Sequence, residues 1–121
     1  MTAPVSNNFS GIYASLSGMR AGMLMQDIAS ANIANMYSED YYATRVELSS
    51  AATGGVLPSL TIDETPPIEV TNTDGSTQKL SNVDLTNEIF NIAMGSVLFS
   101  ASAAAYNAQA QSIGTIINMK A

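Results

Sequence analysis

The sequence predicts an α+β fold: long N- and C-terminal helices packed as an antiparallel coiled-coil hairpin, with a small β-rich middle segment. Three observations carry this. Apolar residues recur at three- and four-residue spacings at both ends of the chain. No Asp, Glu, Lys or Arg occurs between Ile89 and Met119. The middle alternates polar with apolar residues and holds all but one of the prolines. The organisation follows as an N-terminal helical assembly segment (1–36), a β-rich middle (37–82) and a C-terminal helical assembly segment (83–121).

Residues 9–34 read as the first helix. Phe9, Ile12, Leu16, Met19 and Met23 form one apolar stripe, which steps sideways to Leu24, Ile28 and Ala31. Small residues lie between them, among them Ala14, Ser15, Gly18, Ala21, Gly22 and Ala29. They allow another backbone to approach closely. Gly18 and Gly22 each cost about 1 kcal/mol relative to alanine inside a helix, so packing must supply the helix's stability. Asn35 is suited to end it, since asparagine tolerates positive φ and bonds nearby backbone.

In the middle, "YATRVELS" (42–49) reads as a strand, "SSAATGG" (49–55) as a loop and "VLPSLTI" (56–62) as a second strand, placed at an edge by Pro58. Pro66-Pro67 favours extended chain. "IEVTNTDGSTQKL" (68–80) reads as a hairpin turning at Asp74-Gly75.

The second helix is predicted from Asp84 to Met119. Ile89, Ile92, Ser96, Phe99, Ala103, Tyr106, Ala110, Ile113 and Ile117 alternate threes and fours without a slip. Ser96, Ala103 and Ala110 share one position of the repeat, which brings the partner helix close there. Asp84 is placed to cap the helix and Glu88 puts negative charge in its first turn, where the helix dipole favours it.

Composition removes several function classes. The 121 residues carry a net charge of −6, with only Arg20, Arg45, Lys79 and Lys120 basic, so no nucleic-acid-binding patch is expected. With neither cysteine nor histidine there is no thiol nucleophile and no imidazole base or ligand. The acidic pairs Glu39-Asp40 and Asp63-Glu64 fall in loops, and neither Lys79 nor Lys120 lies in a nucleophile-activating motif. The expectation is a non-enzyme with no cofactor and no small-molecule substrate. A calcium loop centred on Gly75 fails, because Val70 and Ser81 occupy the terminal ligand positions where carboxylates are needed. Gly54-Gly55 has no following phosphate-loop residues. The apolar run "IAMGSVLFSASAAAY" is short and serine-rich, with Asn107, Gln109 and Gln111 soon after it, so no membrane span is expected. The start, "MTAPVSNNFSG", lacks the pattern of a cleaved secretory signal.

A helix uncharged all round must be buried somewhere. Two helices cover only one side of each other, and surplus apolar residues such as Met25, Ile33, Val97, Leu98 and Ile116 imply a further cover: copies of the chain, or else its own strand segment folded back over the helices of a monomer.

The two ends together resemble a known pair of signatures. "SGMRAGMLMQDIASANIANMYSEDYY" is similar to the N-terminal signature of the bacterial flagellar rod and hook (axial) proteins, in which a small-residue helix ends in Asn-Ile-Ala-Asn. Asn32, Ile33, Ala34 and Asn35 fall on that motif. "SNVDLTNEIFNIAMGSVLFSASAAAYNAQAQSIGTIINM" resembles the matching C-terminal helix: Val83, Asp84, Leu85, Thr86 and Glu88 fall on its opening motif, and Tyr106-Asn107-Ala108 on a later one. Where that family usually has glycine before a tyrosine, this chain has Asp40. The short middle makes the chain most like a short proximal rod protein.

The resemblance implies a structural subunit of the periplasmic basal-body rod, polymerising through its terminal helices to carry torque from motor to hook. It implies other rod subunits and copies of itself as partners, and export by the flagellar type III apparatus without a cleaved signal. The alternative is a non-flagellar helical-hairpin adaptor.

Overall fold

A computed structural model describes residues 5–120; residues 1–4 and 121 of the two terminal assembly segments lie outside the described residues. The element order is α1 (Val5–Ala34), β1 (Thr44–Ser50), β2 (Val56–Ile62), β3 (Glu69–Thr71), β4 (Thr77–Lys79) and α2 (Leu85–Lys120). The two long helices pack against each other, and the strands between them form two separate two-stranded sheets.

The contact between the helices runs along small residues. Ser15, Gly18, Ala21, Gly22, Ala29 and Asn32 are buried on α1, as are Glu88 and Gly95 on α2. Ser15 Oγ donates to Gln109 Oε1 at 2.9 Å, and a Cβ on Gly18 would collide with Ser102. Gly22 lies against Gly95 and Phe99, and Gln26 Nε2 reaches the carbonyl of Ile92 at 3.5 Å.

This seam differs from the predicted one. On α1 it lies one residue toward the N-terminus of the expected stripe, a rotation of about 100° at 3.6 residues per turn. Gly11, Ser15, Gly18 and Gly22 stand where Ile12, Leu16, Met19 and Met23 were expected. Phe9 and Met23 are exposed, and Ile12, Leu16, Met19 and Ile28 are half-buried. On α2, Ile92 and Phe99 touch the seam, whereas Gly95, Ser102 and Gln109 replace Ser96, Ala103 and Ala110. Ile89, Ala110 and Ile117 are exposed, and Ala103, Tyr106 and Ile113 are half-buried. Met25 and Leu98, read from the sequence as surplus, approach Gly95 and Gly18. The physical reason is distance: backbones this close leave no room for large side chains between them, so those flank the contact.

β1 and β2 pair antiparallel from Thr44↔Ile62 to Ser50↔Val56. Val46, Leu48, Val56, Pro58, Leu60 and Ile62 therefore share one face, since side chains alternate across a sheet. The hairpin lies on α1, where the Val56 amide donates to Ser17 Oγ at 3.0 Å. Its apolar face is only partly covered: Leu48, Leu60 and Ile62 remain exposed. Pro58 is tolerated because a two-stranded sheet has only edges. β3 and β4 pair from Glu69↔Lys79 to Thr71↔Thr77, and the Gly75 amide bonds the Asn72 carbonyl at 3.0 Å in the turn.

The enclosed core is very small. Among the described residues the buried apolar side chains are Ala21, Ala29, Ala43 and Val83, and the largest fully buried side chains are Glu88 and Asn32, both polar. A full-sized aliphatic side chain contributes about 1.5–3 kcal/mol when buried, and this core holds none larger than valine.

Candidate functional site: a polar joint beside an uncovered apolar surface

Where α1 ends and α2 begins, polar side chains hold the chain in place. Asn32 is 1% exposed, and its side chain docks on Thr44: Nδ2 donates to the Thr44 carbonyl at 2.8 Å while Oδ1 accepts from the Thr44 amide at 3.0 Å. Tyr41 Oη donates to the same Oδ1 at 3.0 Å. An asparagine presents one donor group and one acceptor at the spacing of a peptide bond, so it acts as an extra strand residue fixed to α1. Asn35 closes the helix: its Nδ2 bonds the Ala31 carbonyl at 2.9 Å, and its Oδ1 accepts from Ser38 Oγ at 3.1 Å. Ile33 is half-buried and Ala34 exposed.

The left-handed residue of this turn is Asp40, at φ 53°. Glycine adopts this conformation without steric penalty. Aspartate is among the few other residues that tolerate it. The chain then passes to Ala43, fully buried, whose amide donates to Asn82 Oδ1 at 2.6 Å. Asn82 Nδ2 donates to the carbonyls of Asp63 and Thr65 at 2.8 and 2.9 Å, tying the end of β2 to the approach of α2. Ser81 Oγ donates to the Met36 carbonyl and accepts from the Val83 amide.

Asp84 precedes α2, and its Oδ1 accepts from the Thr86 and Asn87 amides at 3.0 and 3.4 Å, the geometry of an N-cap. Leu85 and Thr86 are exposed. Glu88 does more than meet the helix dipole. Its side chain is only 1% exposed, and Oε1 accepts from Arg45 Nη1 at 3.0 Å. Arg45 Nη2 and Nε both reach Asp63 Oδ2, at 2.7 and 3.1 Å. One guanidinium thus joins β1, the end of β2 and α2. Hydrogen bonds from the side chain and amide of Thr65, and then from Arg45, hold the Asp63 carboxyl at about 2, below its ordinary 3.8.

Arg45, Tyr41, Thr44, Asp63, Ser81 and Asn82 do not stand out in the sequence. The available signal was the scarcity of cations: a chain with four basic residues that spends one inside an alternating strand has a partner for it.

Outside the joint, both helices expose large apolar side chains. Phe9, Tyr13 and Met23 lie on α1, and Ile89, Phe90, Met94, Val97, Phe99, Ile117 and Met119 on α2. The most apolar 18-residue window of α2 has a mean hydropathy of 1.4, yet only 6% of it is buried within the chain. By length and composition α2 could cross a membrane. Compared with protein-family models and with curated proteins, the chain matches none.

Proposed function

We propose that this chain is a structural subunit of the bacterial flagellar rod, assembled through its terminal helices with copies of itself and related subunits. The observation that carries the reading is the inverted distribution of apolar residues: alanine and glycine line the contact within the chain, while phenylalanine, isoleucine and methionine face outward along two long helices. A surface of this size needs a cover. At about 1.5 Å per residue the 36 residues of α2 extend roughly 54 Å, a span that several neighbours can share.

In this reading the helices form an antiparallel coiled-coil hairpin. The contacts support it, since partners along α1 in the order Ser15, Gly18, Gly22, Gln26 meet Gln109, Ser102, Gly95 and Ile92 in descending order. The polar joint fixes where the chain leaves the helices, and the β-rich middle lies to the outside. The role is mechanical, with torque carried by interlocked helices, and the chain performs no catalysis, binds no cofactor and reaches the periplasm by type III export. Imaging a strain lacking the gene tests it. Missing rods and lost motility are expected, whereas intact motile flagella would overturn the assignment and favour the adaptor.

A second reading rests on the hydropathy of α2, which would suit lipid as well as protein neighbours. The outward side of α2 also carries Ser96, Ser100, Asn107 and Gln111, which fit a protein contact better. Fractionation separates the two: a rod subunit is recovered with detergent-washed basal bodies, a membrane protein in the detergent phase.

A further inference from the structure

The β1–β2 hairpin has two unpaired edges, and they complement each other. Hydrogen bonds between its strands fall on odd-numbered residues: the Asp63 amide bonds the Ala43 carbonyl, and the Ala51 amide the Gly55 carbonyl. The amide and carbonyl of each even-numbered residue therefore point away from the hairpin. Thr44 bears this out, since both of its groups are taken by Asn32. On β1 the outward groups of Val46, Leu48 and Ser50 have no partner among the described residues. On β2 the Val56 amide is held by Ser17 and Pro58 has no amide, while the outward groups of Leu60 and Ile62 are likewise unpaired among the described residues.

The apolar side chains that α1 leaves uncovered stand at these same edges. Leu48 is 42% exposed on β1, and Leu60 and Ile62 are 53% and 60% exposed on β2. A two-stranded sheet is marginal by itself. Folded proteins usually blunt a free edge with lysine, proline or a very short strand. β1 is seven residues long and contains neither lysine nor proline.

We propose that the free edge of β1 in one copy pairs antiparallel with the free edge of β2 in the next, extending the sheet from copy to copy. Charge selects the register. With Leu48 opposite Leu60 and Val46 opposite Ile62, Arg45 faces Asp63 of the next copy and Glu47 faces Thr61. A slip of two residues one way sets Glu47 against Asp63, like charge against like. A slip the other way calls on Thr44, already held by Asn32, and puts Leu48 against Pro58, which has no amide to give. The chosen register also brings the three exposed side chains together on one face.

The spacing fits a repeating contact. The hairpin's backbone lies against α1 and against no other element. Two strands span about 9.6 Å across a sheet, and helix axes pack about 8–10 Å apart, so the α1 helices of successive copies lie side by side without collision. The two edges differ, so the contact is head-to-tail, the type that propagates into a filament when its rotation does not close. The proposal rests on the self-assembly reading above and deepens it by naming one contact.

Sedimentation of the full chain over a concentration series, together with disulfide trapping, tests it. Leu48→Lys and Ile62→Lys should each weaken self-association on the order of tenfold or more, because pairing would then desolvate an ammonium. Leu57→Lys, on the opposite face of the hairpin and 58% exposed, should leave association unchanged. The chain has no cysteine, so Ser49→Cys in one preparation and Ser59→Cys in another supply one thiol each. These two positions face each other across the contact and give it neither an outward hydrogen bond nor an apolar side chain. Air oxidation of the mixture should join the two proteins by a disulfide, and adding Leu48→Lys to the first should prevent it. Self-association at full strength in both lysine variants, with no such disulfide, would overturn this contact and leave the assembly reading standing on its helices. Absence of self-association by the unaltered chain at any concentration would overturn both.

Discussion

Gly22 and Gly95 meet backbone to backbone: a Cβ built on either would lie 2.6 Å from the carbonyl oxygen of the other. This contact sets the closeness of α1 and α2 where the middle of α1 crosses the first third of α2. It explains why the seam excludes the large apolar residues that flank it.

Replacing either glycine with alanine should therefore destabilise the helix pair. Overpacking costs about 1–3 kcal/mol, and here the obstacle is backbone, which cannot rotate away. The better helix propensity of alanine returns only about 1 kcal/mol. Gly22→Ala should lower the thermal midpoint followed by circular dichroism. Gly114→Ala, where an added Cβ meets nothing within 4 Å, should raise it. Equal gains at both sites would mean that the helices do not approach this closely.

Arg45→Ala should be among the most damaging single changes. It leaves the carboxylate of Glu88 buried without its cation, a situation that costs about 3–5 kcal/mol. The double change Arg45→Met with Glu88→Leu should recover much of that loss in denaturant melts, because it removes the charge together with its partner.

Asp40→Gly should stabilise the chain slightly. A left-handed L-residue costs about 1–2 kcal/mol, aspartate toward the lower end, while glycine's extra freedom in the unfolded chain takes back about 0.4–1. The net gain is about 0.5 kcal/mol, and Asp40→Val should lose stability in the same urea titration. A stabilising valine would contradict the positive φ.

Acid should weaken the joint through Asp63. Its folded value, about 2, lies below the ordinary 3.8, so the carboxylate's contribution is complete above about 3.8 and is lost as pH falls through about 2. Thermal midpoints measured across that window should fall with pH, and Asp63→Asn should flatten the decline. An unchanged slope in the variant would assign the acid sensitivity to other groups.

Helix content should depend on concentration. With a core of alanines and one valine, the 30 residues of α1 and 36 of α2 lack the burial needed to offset their ordering entropy alone. Dilute protein should show much less helix by circular dichroism than assembled protein. Full helicity at the lowest measurable concentration would count against assembly-coupled folding.

The element pattern was legible from local signals. Three-and-four spacing marked both helices to within a few residues of their ends, and Gly54-Gly55 and Asp74-Gly75 marked the turns of the two hairpins. The cap at Asp84 also follows from local chemistry. The rotation of the helices was not legible, because periodicity identifies a repeat without saying which stripe faces the partner. The usual assumption puts the largest apolar residues inside, and here they point out.

What the sequence alone determined was therefore the order of elements, the absence of imidazole and thiol chemistry, and an apolar content too great for two helices to cover. Only the tertiary structure decided which faces meet and which groups build the joint. Arg45 with Glu88, and Asn82 with Ala43, are separated by about forty residues of chain. Their pairing depends on how closely two backbones can approach, a property of three-dimensional packing that no local run of residues encodes.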